Sequence, residues 1–361
     1  MCVIRTRRCE TPFARSPCPR GEHTDVTDGS AVQFAGQEAV DVIRVDRPSP
    51  SATEVLVETT TSAISPGTEL LVYRGMVDER TVADEQLPAL DGTLSYPVRY
   101  GYAAVGRVVS VGRAVDPVWR GQRVFGFNPH ESHFTAAPED LLAVPDGVDT
   151  ERAVFFANTE TALNFMHDAT PRFGERVAVF GQGVIGLLTT ALLARSPVET
   201  VVAVEPHERR RRLALEMGAD VTVDPRGRDA AAAVLEHTDG VDLAIEVSGQ
   251  PEALETAVEA TRYDGRVVVG SWYGTKRTDL GFGTHFHRGN VAIRSSQVST
   301  ISPELRGRWS RERRRDTTWQ LLHSLDTEPL VTHRIAVEEA PEAYRLLDDE
   351  PNEAVQVLLT Y

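Results

Sequence analysis
The chain has 361 residues, 41% of them hydrophobic and 25% charged, a length that calls for two domains of ordinary size. Its 53 acids against 38 basic residues leave a formal charge of −15, and so negative a surface repels phosphate backbones and excludes nucleic acid as a partner. Lys276 is the sole lysine; acid excess with arginine in place of lysine is expected of a halophilic protein, the alternative being a merely acidic one from a GC-rich genome.

Residues 1–30 carry five arginines, three prolines and all three cysteines, Cys2, Cys9 and Cys18, without periodicity and without the apolar core of a signal peptide. They read as a disordered arm, or as a gene-start artefact with the true start nearer Val26. The cysteine spacings contain no CxxC pair, which argues against a zinc knuckle. A body free of cysteine fits a reducing cytoplasm, and no stretch approaches the ~20 consecutive apolar residues of a spanning helix, so no membrane is expected.

From 31 to 150 the pattern is strand-like, as in EVLVETTTSAI, YAAVGRVVSVG and RVFGF, and predicts a β-rich domain. ERAVFFANTETALNFMHDA then reads as a helix ending before Pro171. From 151 to 325 strands and helices alternate: strands at 176–180, 200–205, 220–223, 241–247, 265–270 and 291–298, with helices over 183–194, 207–217 and near 228–237 and 252–260. This is the signature of βαβ units and a helix-covered parallel sheet. The tail, 326–361, returns to strand, helix and strand, and is expected to complete the first domain.

The strongest local signal is RVAVFGQGVIGLLTTALLA, a strand, then Gly181, Gly183 and Gly186 in G-x-G-x-x-G spacing, then a helix. Gly181 permits the tight turn, Gly183 lets the backbone approach a pyrophosphate, and Gly186 lets helix and strand pack closely. The helix start, at Val184, turns its free N–H groups toward the phosphates. Glu205 ends the next strand near the ~20-residue offset of the acid that grips the adenine ribose. A carboxylate there repels a 2′-phosphate, so NAD is favoured, although the run Arg209 to Arg212 leaves NADP open. The fold class predicted is α/β, a Rossmann doubly wound parallel sheet beside a β-rich domain.

Over residues 31–361 the chain resembles the medium-chain dehydrogenase/reductase superfamily. The matching segments are ISPGTELLVYRG, GYAAVG before RVVSVG, the pair LALEMGADVTVD and VDLAIEVSG, and PEAYRLL. VRYGYAAVGRV, FNPHESHF, ANTETALN, SWYG and FHRGNVAIRSSQVSTISPELRGRW further resemble the zinc-free branch that includes bacteriochlorophyllide hydroxyethyl dehydrogenases. The resemblance implies an alcohol dehydrogenase-like enzyme with a GroES-like catalytic domain built from both ends of the chain. It also implies a small-molecule substrate, a homodimer whose seam is VAIRSSQV, and a cofactor held by Thr159, Arg210, Ser248 and Ser271 besides the glycine turn and Glu205.

Aligned on zinc members, the ligand positions of ISPGTE and GYAAVG fall on Pro66, Tyr102 and Ala103. Proline and alanine cannot ligate through their side chains, so no zinc is expected; the alternative is a rebuilt site from His130, His133, Glu69 or Glu160. Without a Lewis acid the substrate oxygen needs a proton donor. Tyr102 is the first candidate, His130 the second, and Glu160, opening the interdomain helix, the third; each has an ordinary structural reading too. Trp272 and Tyr273 follow the strand that borders the cofactor cleft, and Trp272 is a candidate substrate contact. Arg294 reads as a seam residue, and His285 and His287 carry no assigned role. The reaction expected is hydride transfer between NAD(H) and an alcohol or carbonyl. An NADPH-dependent enone or quinone reductase and a non-catalytic dinucleotide sensor are the alternatives.

Overall fold
Strands form where β-branched residues crowd the chain and stop where proline or glycine interrupts it. The computed structural model describes residues 29–361 apart from residue 85. Residues 1–28 of the expected arm, with its cysteines, lie outside the described residues, while Gly29 and Ser30 already belong to β1 (Gly29–Gly36), which forms a hairpin with β2 (Ala39–Val45). There follow β3 (Val55–Ala63), α1 (Pro66–Tyr73), β4 (Ala104–Val111), β5 (Arg123–Gly126), β6 (His133–Ala136) and β7 (Leu141–Ala143). The strand pattern leaves α1 unforeseen. Its start is nonetheless encoded: Ser65 is the N-cap, Pro66 follows at the first helical position, and Glu69 reaches back to the Ser65 N–H.

The helix read over 151–169 is two, α2 (Thr150–Ala153) and α3 (Phe156–Ala169), and α3 ends on left-handed Thr170 just before Pro171. The alternating part follows: β8 (Arg176–Phe180), α4 (Val184–Leu193), β9 (Thr200–Val204), α5 (Glu208–Glu216), β10 (Val221–Val223) and α6 (Ala230–Thr238). Then come β11 (Val241–Glu246), α7 (Pro251–Ala260), β12 (Thr261–Val269) and β13 (Ala292–Ser295). Six parallel strands stand in the order β10-β9-β8-β11-β12-β13, which is the doubly wound nucleotide-binding arrangement with its switch point between β8 and β11. Phe180 is level with Val204 on one side and Glu246 on the other, and Glu246 with Val269. The loops after these four strands therefore emerge along one edge.

The chain closes with α8 (Arg311–Ser324), β14 (Val331–Ala336), α9 (Ala340–Asp349) and β15 (Gln356–Thr360). β15 pairs antiparallel with β3, giving a mixed sheet of order β14-β15-β3-β4-β5-β7 in which β6 also pairs with β3. One apolar cluster joins Val105 and Phe125 of this sheet, through Phe155 and Phe156, to Val179 of the parallel one and Leu187 of α4. The fold is α/β, a Rossmann sheet beside a β-rich GroES-like unit. Among the described residues no helix is long and apolar enough to cross a membrane.

α8 escapes sequence reading because its inward stripe is Arg314, Thr318 and Leu322, so hydrophobic periodicity is nearly absent. Arg314 is 3% exposed and Glu160 5%. Its Nε donates to Glu160 Oε1 at 2.9 Å, and its terminal nitrogens donate to Asn164 Oδ1 (2.8 Å), Thr300 O (3.2 Å) and Val298 O (2.5 Å). A buried ion pair adds little over an apolar pair, but breaking it strands a charge. Arg314→Leu is therefore expected to cost about 3–5 kcal/mol in urea unfolding, and adding Glu160→Leu to recover most of it. A double variant no more stable than the single one would give the carbonyl partners the larger share.

At the other end of α3 the His167 ring lies 4.1 Å from Trp309, over which Arg313 stacks. Burial, then the Arg314 charge, holds the His167 imidazole down at about 4. The unfolded chain takes up a proton near 6.5 that the folded chain refuses. This stability is present above pH 6.5 and is lost as pH falls toward 4. His167→Phe is expected to lose less stability than the parent between pH 7 and pH 4.5 by urea unfolding; equal losses would refute the assignment.

Candidate active site
The loops that follow β8, β9, β11 and β12 meet at one edge of the parallel sheet, the place expected for a dinucleotide. Gly181 has φ +93°, and a Cβ there would fall 2.5 Å from Ser248 Cα, so the glycine turn and the turn after β11 lie in contact. A Cβ on Gly186 would fall 1.9 Å from Gly181 O, which is the close helix–strand approach the motif requires. Gly183 is the N-cap of α4 and brings no capping side chain, so the N–H groups at Val184 and beyond stay available to a phosphate.

Glu205 is 3% exposed. Its Oε2 accepts from Gln182 N at 2.7 Å and its Oε1 from His207 N at 3.0 Å, which anchors the acid beneath the glycine turn. The arginines beyond it are largely engaged. Arg209 donates to Glu353 O (3.1 Å), Arg210 to Ala354 O (2.8 Å), and Arg211 to Glu205 O (2.8 Å) and Pro206 O (2.7 Å) while pairing with Asp224. Arg210 Nε is buried without a partner, and burial pushes this guanidinium down while Glu205 opposes the shift.

Ser248 donates through N and Oγ to Glu246 Oε1, Tyr273 donates to Glu246 Oε2, and Ser271 Oγ accepts from Gly249 N at 2.9 Å. Ser248, Ser271 and Tyr273 thus form one group around buried Glu246. Trp272 beside them is 39% exposed. Thr159 on α3 is fully buried, and its Oγ1 has no partner. A turn that tolerates only glycine, an uncapped helix start and unpartnered donors at Thr159 and Arg210 fit a dinucleotide.

A second group gathers around Tyr102. Its hydroxyl pairs with Ser65 Oγ and lies 3.3 Å from Thr68 Oγ1. Ser65 therefore gives its hydroxyl to Tyr102 instead of capping α1. Burial pushes the Tyr102 phenol up, against the pull of these two hydrogen bonds, so it is protonated at neutral pH and able to donate. His130 belongs to the same neighbourhood: its Nε2 lies 3.0 Å from Glu69 Oε2, and Glu69 Oε1 accepts from Ser65 N at 2.7 Å.

Of the three expected catalytic side chains, Tyr102 and His130 are brought together through Glu69. Glu160, the third, has its carboxylate bound by Arg314 on α8. Arg294 pairs with Asp168 at 3.1 Å and His285 Nε2 lies 2.6 Å from Thr261 O, both away from this group. Sequence reading missed Ser65 and Thr68 altogether; the start signal of α1 was the available clue, since it puts both at the mouth of one helix. Among the described residues no three His, Cys, Asp or Glu side chains gather to hold a metal ion.

Residues 184–311 match the family model described as zinc-binding dehydrogenase. D-guloside 3-dehydrogenase of Escherichia coli (strain K12) is 28% identical over 329 residues, 86% of this chain and 93% of that protein. The crystal structure of 2R,3R-butanediol dehydrogenase from Bacillus subtilis superposes with a TM-score of 0.76 at 23% identity, covering 92% of this chain and 99% of that one. A zinc-binding dehydrogenase structure from Sinorhizobium meliloti 1021, bound to NADP, gives 0.73 at 21% identity with the same coverage. The chain is thus similar to zinc-binding dehydrogenases over residues 184–311 and to a named dehydrogenase over most of its length, which supports an enzyme, a dehydrogenase.

Because Gly181 sits at φ +93° against Ser248 backbone, Gly181→Ala is expected to weaken NADH binding at least tenfold by nicotinamide fluorescence while the far-UV spectrum is kept. Undiminished binding would mean that the turn does not cradle the cofactor.

Proposed function
We propose that the enzyme transfers a hydride between NAD(H) and a secondary alcohol or its ketone, with Tyr102 as the proton donor and acceptor and without catalytic zinc. The observation that carries this reading is the Tyr102 hydroxyl held between Ser65 and Thr68. The nicotinamide ring supplies or accepts the hydride when bound. Gly181, Gly183, Val184 and Gly186 would hold the pyrophosphate, Glu205 and Arg210 the adenosine ribose, and Thr159, Ser248 and Ser271 the nicotinamide half.

In the reducing direction Tyr102 donates its proton to the carbonyl oxygen as the carbon receives the hydride. Ser65 and Thr68 steady the phenolate left behind, and half-exposed Thr68 hands a proton back from water. His130, fully enclosed, supports this group from within rather than touching substrate. Trp272 offers an apolar wall to the alcohol. The commitment of Arg209 and Arg211 to backbone carbonyls favours NAD over NADP.

We divide the chain, on this reading, into an arm over 1–30, a catalytic domain over 31–150 and 326–361, and a dinucleotide domain over 151–325. β13 presents Ala292, Arg294 and Ser295 at the open edge of the parallel sheet, which suits a seam between two copies. The acidic, lysine-poor composition suits a salt-rich cytoplasm.

Tyr102→Phe is expected to lower kcat on a panel of secondary alcohols and sugar alcohols by about 10²–10⁴-fold, with NADH affinity unchanged. A retained rate would remove Tyr102 from the mechanism. NADPH binding more tightly than NADH in paired titrations would instead favour the enone or quinone reductase.

A further inference from the structure
A family of zinc-binding dehydrogenases implies a metal, and the residues of this chain do not fit one. Pro66 and Ala103 carry no ligating side-chain atom, and the Tyr102 hydroxyl is occupied by Ser65 and Thr68. The nearest carboxylate and imidazole, Glu69 and His130, are both 0% exposed. Catalytic zinc takes three protein ligands and keeps a fourth position open; here two donors face each other in a closed space.

Those two donors are already saturated. Glu69 Oε1 accepts from Ser65 N at 2.7 Å, and Oε2 accepts from Tyr344 OH at 2.5 Å while lying 3.0 Å from His130 Nε2. His130 Nδ1 lies 2.7 Å from Ser62 Oγ, which is 3.0 Å from Tyr361 OH. Both ring nitrogens of His130 are thus engaged, Nε2 by the carboxylate and Nδ1 by the Ser62 hydroxyl. The ring fits only because residue 101 is glycine: a Cβ there would fall 2.6 Å from His130 Nε2, and Gly101 has φ +125°.

The geometry points to a metal-free centre in which the buried Glu69–His130 pair, in place of zinc, fixes the reacting hydroxyl of Tyr102. The pair draws together β3 through Ser62, the start of α1 through Ser65 and Glu69, the segment before β6 through His130, α9 through Tyr344, and the end of the chain through Tyr361. Glu69 is the positioning residue. It holds the Ser65 backbone, and Ser65 holds the Tyr102 hydroxyl. This inference rests on the reading of Tyr102 as proton donor.

The test uses the full chain and needs no substrate. Protein labelled at the tyrosine ζ-carbon gives a Tyr102 resonance, identified by its loss in Tyr102→Phe. In Glu69→Gln that resonance is expected to shift and broaden while exposed Tyr263 stays in place, because a glutamine cannot accept on both sides. A Tyr102 resonance unmoved in Glu69→Gln overturns the positioning role. Should Glu69→Gln fail to fold, Tyr344→Phe removes one donor only and is expected to move the same resonance less; no movement overturns the proposal. Parent protein exposed to excess zinc chloride and desalted is expected to hold far less than one zinc per chain, and one zinc per chain, lost in Glu69→Gln, overturns it. Where a turned-over alcohol is known, kcat of Glu69→Gln is expected to fall about 10-fold or more at constant NADH affinity. A rate retained in Tyr102→Phe defeats the mechanism and leaves the resonance test standing, so the two failures are distinct.

Discussion
Glu69 has no contact with water, and a carboxylate removed from water is stable only if protein donors replace its hydration. Here the donors come from a helix N-cap, a histidine and a tyrosine far apart in the chain. Each constrains something else. The N-cap contact sets the turn that carries Ser65 and Thr68, the histidine demands a glycine at position 101, and the tyrosine ties α9 to α1. The C-terminal elements are thus locked to the first strands by polar contacts as well as by the β15–β3 ladder.

The parallel-sheet half obeys a different constraint, the level ending of four parallel strands. Because Phe180, Val204, Glu246 and Val269 stand in register, the glycine turn, the Glu205 turn, the Ser248 turn and the Ser271–Tyr273 segment meet at one edge. Glu246 there does for Ser248 and Tyr273 what Glu69 does for Ser65 and Tyr344. Buried acids at strand and helix ends organise both halves, in a protein whose net charge is −15. Their role is local hydrogen bonding, distinct from the surface acidity that dominates the total.

Much of the fold was legible. The βαβ alternation and the glycine turn follow from patterns a few residues long, since strand and helix periods are local properties, whereas the place of the tail beside the first sheet was expected from the family resemblance. α8 was not legible, because its buried stripe begins with arginine and threonine, and a polar stripe leaves no hydrophobic period. α1 was hidden by the strand-rich context around it. The pairing of Glu160 was hidden for the same reason as α8: its partner, Arg314, lies 154 residues away.

Residue order was enough to give the Rossmann half, its glycine turn at Gly181, Gly183 and Gly186, and the non-ligating residue types at Pro66 and Ala103, because each is a matter of residue type at short spacing. The joining of Tyr102, Ser65, Glu69, His130 and Tyr344 was settled by folding alone. Hydrogen bonds between segments 61 and 275 residues apart leave no trace in local periodicity, and only the packing of α1, α9 and the mixed sheet brings their donors and acceptors within reach.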